Sequence, residues 1–382
     1  MAAVVAAACE AGQIGFDTEF VRERTYRAQL CLVQVAAGEE IFLIDPLTGV
    51  DLSPLARLIS DPEVEIVVHA GRQDLEILFD RFGAIPTRVY DVQIAAGFTG
   101  YGASLPYGRL VHAVTGVHLE KGESYSDWCR RPLSQAQLQY AADDVKYLEA
   151  VARRLKQRAE ELGRSDWVAE EMAELCSKHS YDLDLDEVYR KVAGRGNLSG
   201  GQLAVLREVA RWREETARRR DIPRGWVLKD PTMIEIARRA PSKPADLAAI
   251  RGISAKEVER SGAAIIDAVQ RGRRAQPIAA LAAPPREAQI RARMLVGVAD
   301  AVVRARCERE KIAYELVATR AELEGLLACV FSGARPSSDG FRLLRGWRRR
   351  IAGEAVVDLA LGRIAVRAKE EPPFVEEVVL ES

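Results

Sequence analysis

The run Ile14-Gly15-Phe16-Asp17-Thr18-Glu19-Phe20-Val21 sets two acids, one residue apart, inside an apolar stretch. On an extended strand, residues i and i+2 point to the same face, so Asp17 and Glu19 project together at the edge of a core. Two like charges that close are costly unless something positive lies between them, and hard divalent cations favour clustered carboxylate oxygens. An isolated D-x-E is equally the pattern of an ordinary edge strand with two solvated acids. The distinction has to come from elsewhere in the chain.

The 382 residues, 48% hydrophobic and 29% charged, describe a globular chain with ample core material and roughly two or three domains. No apolar run reaches the roughly 20 residues that span a bilayer, so no membrane association is expected. Met1–Cys9 is small and apolar, lacks a basic leader and runs straight into the acidic strand; it reads as the start of a helix. Six scattered cysteines without a C-x-x-C pair, and only four histidines, argue against a zinc site and for a reducing cytoplasm. The net charge of -1 hides an asymmetry: residues 211–280 carry about +7 and the rest about -8. That contrast suggests a nucleic-acid-facing part joined to a metal-binding part, although Arg-rich helices also carry solvated faces.

Residues 12–95 mix strand and helix signals. Ile14–Phe16, Leu30–Val35, Ile41–Ile44 and Ile66–Val68 read as strands, the first three as an antiparallel meander with a turn at Gly38-Glu39-Glu40. Asp51–Ser60 and Asp74–Phe82 have helical periodicity, the second stopped by Gly83. This is an α/β or α+β domain with a mixed sheet. Asp91–His112 reads as helical with a glycine-rich break at Gly97–Gly102, and Ser134-Gln135-Ala136-Gln137 is a capping box that starts a helix through Tyr140–Leu155. A charged helical tail and linker follows over residues 156–190.

From Leu198 the strand signal disappears. Leu203–Arg220, Thr232–Ala240, Lys243–Ala248 and Ser254–Gly272 predict a compact all-α unit. A Pro/Ala-rich linker, Gln276–Pro285, leads to a second helical unit with helices near Ala288–Arg306, Thr319–Phe331 and Gly340–Ile351. Ala355–Val366 fits a short helix or a strand, and the acidic tail is expected to fray.

Two further stretches place acids where a solvated surface does not call for them. Val67–Leu78 is an apolar strand, a small-residue turn and an amphipathic helix, which puts Asp74 in the first helical turn at the C-terminal end of a strand. Sites of α/β folds are built there, although a helix dipole favours an acid at that position without any metal. In Tyr140-Ala141-Ala142-Asp143-Asp144, Tyr140 and Asp144 stand i and i+4 on one helix face. Asp143 beside Asp144 leaves an i/i+1 choice, and the spacing from Tyr140 favours Asp144. Together Asp17, Glu19, Asp74 and Asp144 offer carboxylates from one strand and two helices, enough for two hard cations. Such a pair, about 3.5–4 Å apart, activates water and stabilises the leaving oxygen of a phosphodiester. Tyr140 is placed to orient the attacking water; with a pKa of about 10 its phenol is a poor base on its own.

The motifs F-D-T-E-F, H-A-G-R-Q-D-L-E-I-L and Y-A-A-D-D-V-K-Y-L resemble the three exonuclease motifs of the DEDD superfamily, in its tyrosine-bearing branch. The flanking runs Phe16–Val35, Leu43–Leu47 and Asp127–Ser134 are similar to the bacterial ribonuclease D family. The match covers about residues 10–155, and Leu198–Gly272 resembles a helicase-and-ribonuclease-D C-terminal (HRDC) module, with the last helices similar to a second one. The resemblance implies a ribonuclease H-like α/β exonuclease domain with a mixed sheet, followed by two all-α HRDC-type domains. The expected limits are 1–165 for the exonuclease, 166–195 for a helical linker, 196–275 for the first module and 286–382 for the second.

The resemblance also implies roles. Asp17, Glu19 and Asp144 would ligate metal directly, Asp74 would hold a second ion largely through water, and Tyr140 would position the nucleophile. Two Mg²⁺ or Mn²⁺ ions are the implied cofactors. Phe20 follows the first motif where the family sets an apolar side chain against terminal bases, and is equally placed for a core. His69 fits a supporting or core histidine. Few residues precede Asp17, so an opening strand of the family is expected to be missing.

Arg211, Arg213, Arg218, Arg219, Arg220 and Arg224 cluster near Trp212 and Trp226, and Arg345, Arg348, Arg349 and Arg350 stand beside Trp347. Trp212 and Trp226 read as core, Trp212 sharing a stripe with Val205 and Val209, while the arginines read as phosphate contacts, Arg211, Arg218 and Arg219 in particular, with a similar patch beside Trp347. The expected activity is metal-dependent 3′-5′ exoribonuclease trimming of RNA, tRNA precursors in particular, releasing nucleoside 5′-monophosphates, by a cytoplasmic monomer. A DNA-directed exonuclease and an idle nucleic-acid-binding scaffold are the alternatives.

Overall fold

The computed structural model describes residues 1–119, 126–278 and 284–380, so the middle of the linker expected at 276–285 lies outside it. The chain divides into two compact units: Met1–Glu19 with Leu32–Ser177 and Pro284–Ser382, and Phe20–Cys31 with Lys178–Ala283.

The first unit opens with α1 (Ala2–Ala11), which stops at Gly12 in the left-handed region, φ 66°. A five-stranded sheet follows, built from β1 (Gln13–Val21), β2 (Gln29–Ala37), β3 (Glu40–Ile44), β4 (Glu65–Val68) and β5 (Val89–Asp91) in the order β3-β2-β1-β4-β5. β2 and β3 are antiparallel across the two-residue turn Gly38-Glu39, whereas β4 runs parallel to β1 and β5 to β4. The sheet is therefore mixed, and β1 is its middle strand. That decides against solvated acids on an edge strand. Pairing places Gly15 beside Val67, and β4 ends at Val68 while β1 continues to Val21. Asp17 and Glu19 thus project beyond the C-terminal end of β4, where parallel sheets open to ligands.

The remaining elements of the exonuclease-like part are α2 (Ser53–Ile59), α3 (Arg72–Phe82), α4 (Val92–Phe98), α5 (Tyr107–Thr115), α6 (Gln135–Lys146), α7 (Leu148–Glu161) and α8 (Ser165–Leu175). The capping box at Ser134 and Gln137 forms as the sequence predicts, with both reciprocal bonds made. The long helix expected through Leu155 is instead two helices. Tyr147 divides them at φ -106°, ψ 0°, where its N–H turns to the Val145 carbonyl and also donates to the Tyr107 hydroxyl at 3.3 Å. β5 was not legible as a strand, being three residues long and merging into α4.

The C-terminal residues of the same unit form α14 (Arg286–Glu310), α15 (Tyr314–Val317), α16 (Arg320–Phe331), the single turn α17 (Gly346–Arg348) and α18 (Glu354–Ala360); α9 to α13 belong to the other unit, below. They pack on α4 and α8. Gly97 carries no side chain because a Cβ there would lie 2.5 Å from Leu316 Cδ1, and its carbonyl accepts from Ala313 N–H at 2.8 Å. Trp347 is buried edge-on against Phe98, centroids 4.8 Å apart, and Arg348 forks onto Glu171 at 2.6 and 2.7 Å. Arg348 is thus a buried structural ion pair and not part of an exposed basic patch.

The helix expected over Gly340–Ile351 is broken. Gly346 sits at φ 43° under the Glu170 carboxylate, and Arg349–Gly353 widens into a π-turn before α18. The tail is not frayed: β6 (Ile364–Ala368) pairs antiparallel with β7 (Val375–Val379). Glu377 of β7 holds Arg306 at 2.6 and 2.8 Å and Arg309 at 3.2 Å, so acids that look solvated in the sequence are cross-links.

The second unit is built on α9 (Gly200–Arg220), α10 (Arg224–Val227), α11 (Asp230–Arg239), α12 (Pro244–Leu247) and α13 (Ala255–Arg274). Gly272 lets α13 cross α9 closely, since a Cβ would lie 2.4 Å from Val205 Cα. Trp212 is buried as expected, whereas Trp226 is 61% exposed and does not belong to the core. The connection between β1 and β2 is part of this unit. Tyr26 is buried in its core, its hydroxyl donates to Glu214, and its N–H and that of Arg27 donate to Asp221 at 3.1 and 3.0 Å.

α9–α11 and α14–α16 share a local pattern. A long helix ends on a left-handed residue (Asp221, φ 47°; Lys311, φ 53°), a four-residue helix follows, then an extended residue (Leu228, φ -151°; Ala318, φ -149°) and another helix.

Candidate active site

Gly15, Asp17 and Glu19 share one face of β1. At Gly15 a Cβ would lie 2.9 Å from the Val145 carbonyl and 3.3 Å from Leu148 Cβ, so the missing side chain lets the α6–α7 junction press onto that face. Asp144, next to Val145, is thereby brought over the strand. Carboxylate oxygens of Asp17, Glu19 and Asp144 all lie within 4.8 Å of one another. Asp143 accepts from Gln139 Nε2 at 3.0 Å and is not among the three acids whose oxygens converge.

Asp74 comes from a different device. The β4–α3 turn places Ala70 at φ 55° and Gly71 where a Cβ would meet Val68 Cβ at 2.5 Å. Asp91 ties this turn together: its carboxylate accepts from the N–H groups of Ala70 and Gly71 at 3.1 Å each and caps α4 through Gln93 at 2.9 Å. α3 then starts with Asp74 in its first turn, buried and accepting from the Thr18 hydroxyl. Asp74 therefore stands against β1 beside the three clustered acids, and its charge is felt by both Asp17 and Glu19.

The electrostatics are those of a site short of positive charge. Burial, then the neighbouring acids Asp74, Asp144 and Glu19, hold the Asp17 carboxyl well above the ordinary range. Burial pushes Glu19 up to about 8, with Asp144 and Asp74 adding to it. Burial also lifts Asp144 to about 7 and Asp74 to about 6, partly offset by hydrogen bonds from Tyr140 and Thr18 respectively. Tyr140 is hydrogen-bonded to Asp144. Burial and then the Asp144 charge raise its phenol further above its ordinary value, so it stays protonated. A cavity of about 200 Å³ opens over Asp17, Tyr140 and Asp144, with His69 and Tyr107 in its wall. His69 is not in the acid set; its Nε2 lies 2.9 Å from the Leu105 carbonyl, and burial lowers its pKa.

Phe20 and the arginines expected to contact nucleic acid, Arg211, Arg218 and Arg219, are residues of the second unit. Phe20 is half-buried. Arg211 pairs with Asp186, and Arg218 donates to the Tyr26 hydroxyl at 2.9 Å and faces the buried Glu214 at 3.9 Å. Arg219 is exposed and donates to the uncharged Thr216 hydroxyl at 3.2 Å. Arg213, Arg220 and Arg224 are paired with Asp230, Glu257 and Glu214, so most of the basic cluster is neutralised within its own module. Sequence reasoning missed Thr18, Tyr107 and Asp91. Asp91 carried a usable signal, an acid directly before an apolar helical run; Thr18 and Tyr107 carried none.

The donor set suits a hard divalent cation, since every candidate ligand among the described residues is a carboxylate oxygen and the acids raise one another's pKa. Comparison with known proteins agrees. Residues 1–160 match the 3′-5′ exonuclease family model, and residues 202–269 match the HRDC domain. Ribonuclease D of Gluconacetobacter diazotrophicus is 40% identical over 358 residues, 92% of this chain and 88% of that one. Ribonuclease D of Pseudomonas paraeruginosa is 37% identical over 346 residues, 90% and 91% of the two chains. The crystal structure of Escherichia coli RNase D, described as an exoribonuclease involved in structured RNA processing, superposes with a TM-score of 0.78 at 31% identity, covering 94% of this chain and 96% of that one. Acids gathered over the middle strand of the sheet, an exonuclease domain with an HRDC domain downstream and relatives alike along nearly the whole chain lead to one conclusion: the chain belongs to the ribonuclease D family and is a 3′-5′ exoribonuclease.

Proposed function

We propose that the enzyme trims the 3′ ends of structured RNAs, tRNA precursors in particular, releasing nucleoside 5′-monophosphates with two divalent cations, Mg²⁺ or Mn²⁺. The observation that carries this is the convergence of Asp17, Glu19 and Asp144 within 4.8 Å, with Asp74 buried alongside. Asp17, Glu19 and Asp144 would hold one cation directly, and Asp74 would help hold the other. When bound, the cations supply Lewis-acid polarisation of the scissile phosphate and a lowered pKa for the attacking water.

The chain's own residues do the rest. Tyr140 keeps its proton and gives it in a hydrogen bond to Asp144. Its oxygen is then an acceptor, so a water donating to it turns a lone pair toward the phosphorus. The phenol orients the nucleophile and does not deprotonate it. Thr18 fixes the Asp74 carboxylate by donating to it. Sequence enters little at such a site, because the phosphate is the same at every step.

The domain limits 1–165, 166–195, 196–275 and 286–382 remain our assignment. The shared pattern of α9–α11 and α14–α16 supports a second HRDC-like module in the last of these. Phe20 and Arg219 are assigned to RNA contact. All five site residues come from one chain, so a monomer suffices. Six free cysteines fit a reducing compartment, the cytoplasm.

The test is a tRNA precursor carrying a 3′ trailer, incubated with Mn²⁺ while bound Mn²⁺ is counted by titration. Nucleoside 5′-monophosphates, a stop near the mature end and two ions per chain support the proposal. A preference for DNA, or one ion with full activity, contradicts it.

A further inference from the structure

Two of the stretches that resemble the family, Leu43–Leu47 and Asp127–Ser134, have no part in the chemistry above, yet they meet in the fold. Asp45, directly after β3, accepts from the Leu47 N–H at 2.9 Å. The rest of its carboxylate is taken by Arg131, Nε to Oδ2 at 2.5 Å and Nη2 to Oδ1 at 2.7 Å. This is the bidentate geometry that only a guanidinium provides. The third nitrogen, Nη1, donates to the carbonyls of Trp128 at 2.8 Å and Arg130 at 2.9 Å. One side chain thus pins the backbone of the 128–131 loop to the end of β3.

Trp128 is 2% exposed, and its ring lies on that of Tyr140, centroids 5.9 Å apart and planes 37° apart. That separation is within the range of an attractive aromatic pair, about 4.5–7 Å. The indole N–H is buried and, among the described residues, has no acceptor. The indole therefore acts on Tyr140 through shape and ring contact, not through a directed hydrogen bond. We propose that Trp128 is a positioning residue for the Tyr140 phenol, and that the Asp45–Arg131 pair is the clamp that holds Trp128 in place. The proposal rests on the role given to Tyr140 above. It gives the Asp45–Arg131 ion pair, which touches none of the clustered acids in these bonds, a part in the chemistry.

A misplacement of about 1 Å in a reacting group costs about 100-fold in rate. Trp128→Ala removes the surface that stops the phenol from swinging, so kcat on a 3′-overhang RNA falls about 10- to 100-fold. KM, and RNA affinity measured by anisotropy with chelator present, stay within about twofold, because Trp128 is buried and offers the substrate almost no surface. Trp128→Phe keeps a ring and loses only the unpartnered N–H, so kcat stays within about threefold. In the Tyr140→Phe background Trp128→Ala costs less than about threefold more, since the hydroxyl it positions is already gone. Asp45→Asn weakens the fork, and kcat falls about 3- to 10-fold at unchanged KM.

Tyr140→Phe with wild-type kcat sinks the role of Tyr140 and this proposal with it. If Tyr140→Phe is impaired, three results overturn the proposal alone: an undiminished Trp128→Ala penalty in that background, Trp128→Phe as poor as Trp128→Ala, or a loss carried by KM. Should Trp128→Ala fail to fold, Trp128→Phe and Asp45→Asn decide, and wild-type kcat for Asp45→Asn removes the clamp.

Discussion

Gly15→Ala tests how the acid cluster is assembled. A methyl group there starts 2.9 Å from the Val145 carbonyl oxygen, 3.3 Å from Leu148 Cβ and 3.4 Å from Ala36 Cβ. An ordinary contact of about 3.4 Å requires the α6–α7 junction to retreat by roughly 0.5 Å. The obstacle is backbone, and the next residue is Asp144. Overpacking of this kind costs about 1–3 kcal/mol, offset by about 0.4–1 kcal/mol from the stiffer unfolded chain. The net loss, about 1–2 kcal/mol, should lower the melting temperature by about 2–8 °C, at roughly 2–4 °C per kcal/mol for a unit of this size. Site groups need to be held within about 0.5 Å, so kcat should fall about tenfold, out of proportion to the stability loss. Gly38→Ala is the control: Gly38 sits at φ 59° with nothing within 4 Å of a new Cβ. That variant should lose about 1 kcal/mol of stability to backbone strain and keep its kcat. Melting curves and single-nucleotide release rates read both effects. Gly15→Ala with unchanged melting and kcat within twofold would refute the close-approach argument.

Further outcomes follow from the same geometry. Glu19, held at about 8 against an ordinary 4.5, keeps a proton in the folded, metal-free protein that the unfolded chain has already released. The folded state binds more protons between about pH 4.5 and 8, so this group's stabilisation is present at the acid end and lost as pH rises. The melting temperature of chelated wild type, less that of Glu19→Gln, should therefore fall from pH 5 to pH 9, and a flat difference contradicts the shift. Added Mn²⁺ should restore more stability at pH 9 than at pH 5. Arg348→Met leaves the Glu171 carboxylate without its forked cation, costing about 3 kcal/mol and about 6–12 °C; Glu171→Met in the same chain should recover much of it. Arg219→Ala should weaken RNA binding and reduce the log–log salt slope by about 0.7, whereas Arg218→Ala, which strips a partner from Tyr26 and Glu214, should lower stability more than it lowers that slope.

What the sequence reveals and what it hides divide along physical lines. The i, i+2 acids of β1, the i, i+4 pair Tyr140 and Asp144, and the capping box at Ser134 are local patterns, readable because strand and helix periods fix which side chains share a face. That the three acids close within 4.8 Å depends on Gly15 allowing α6 and α7 to approach, a tertiary contact that no periodicity encodes. The basic residues mislead for a related reason. Charge can be counted along a chain, but whether Arg218, Arg224 or Arg348 faces solvent depends on acids far away in sequence, Glu214 and Glu171. The β6–β7 hairpin is hidden likewise, because Glu376 and Glu377 look like a solvated tail until Arg367, Arg306 and Arg309 are placed against them.

The most direct test of the acid cluster uses a 5′-labelled RNA with a single-stranded 3′ overhang and its DNA counterpart, with Mg²⁺ or Mn²⁺ and then with chelator, for wild type and Asp17→Asn. Asp17→Asn removes one charge from the cluster and keeps the side chain's size. A metal-dependent ladder shrinking from the RNA 3′ end, abolished by chelator and reduced at least about 1,000-fold by Asp17→Asn, is expected if these carboxylates hold the cations. A ladder that persists undiminished in Asp17→Asn would mean that the chemistry is done elsewhere in the chain.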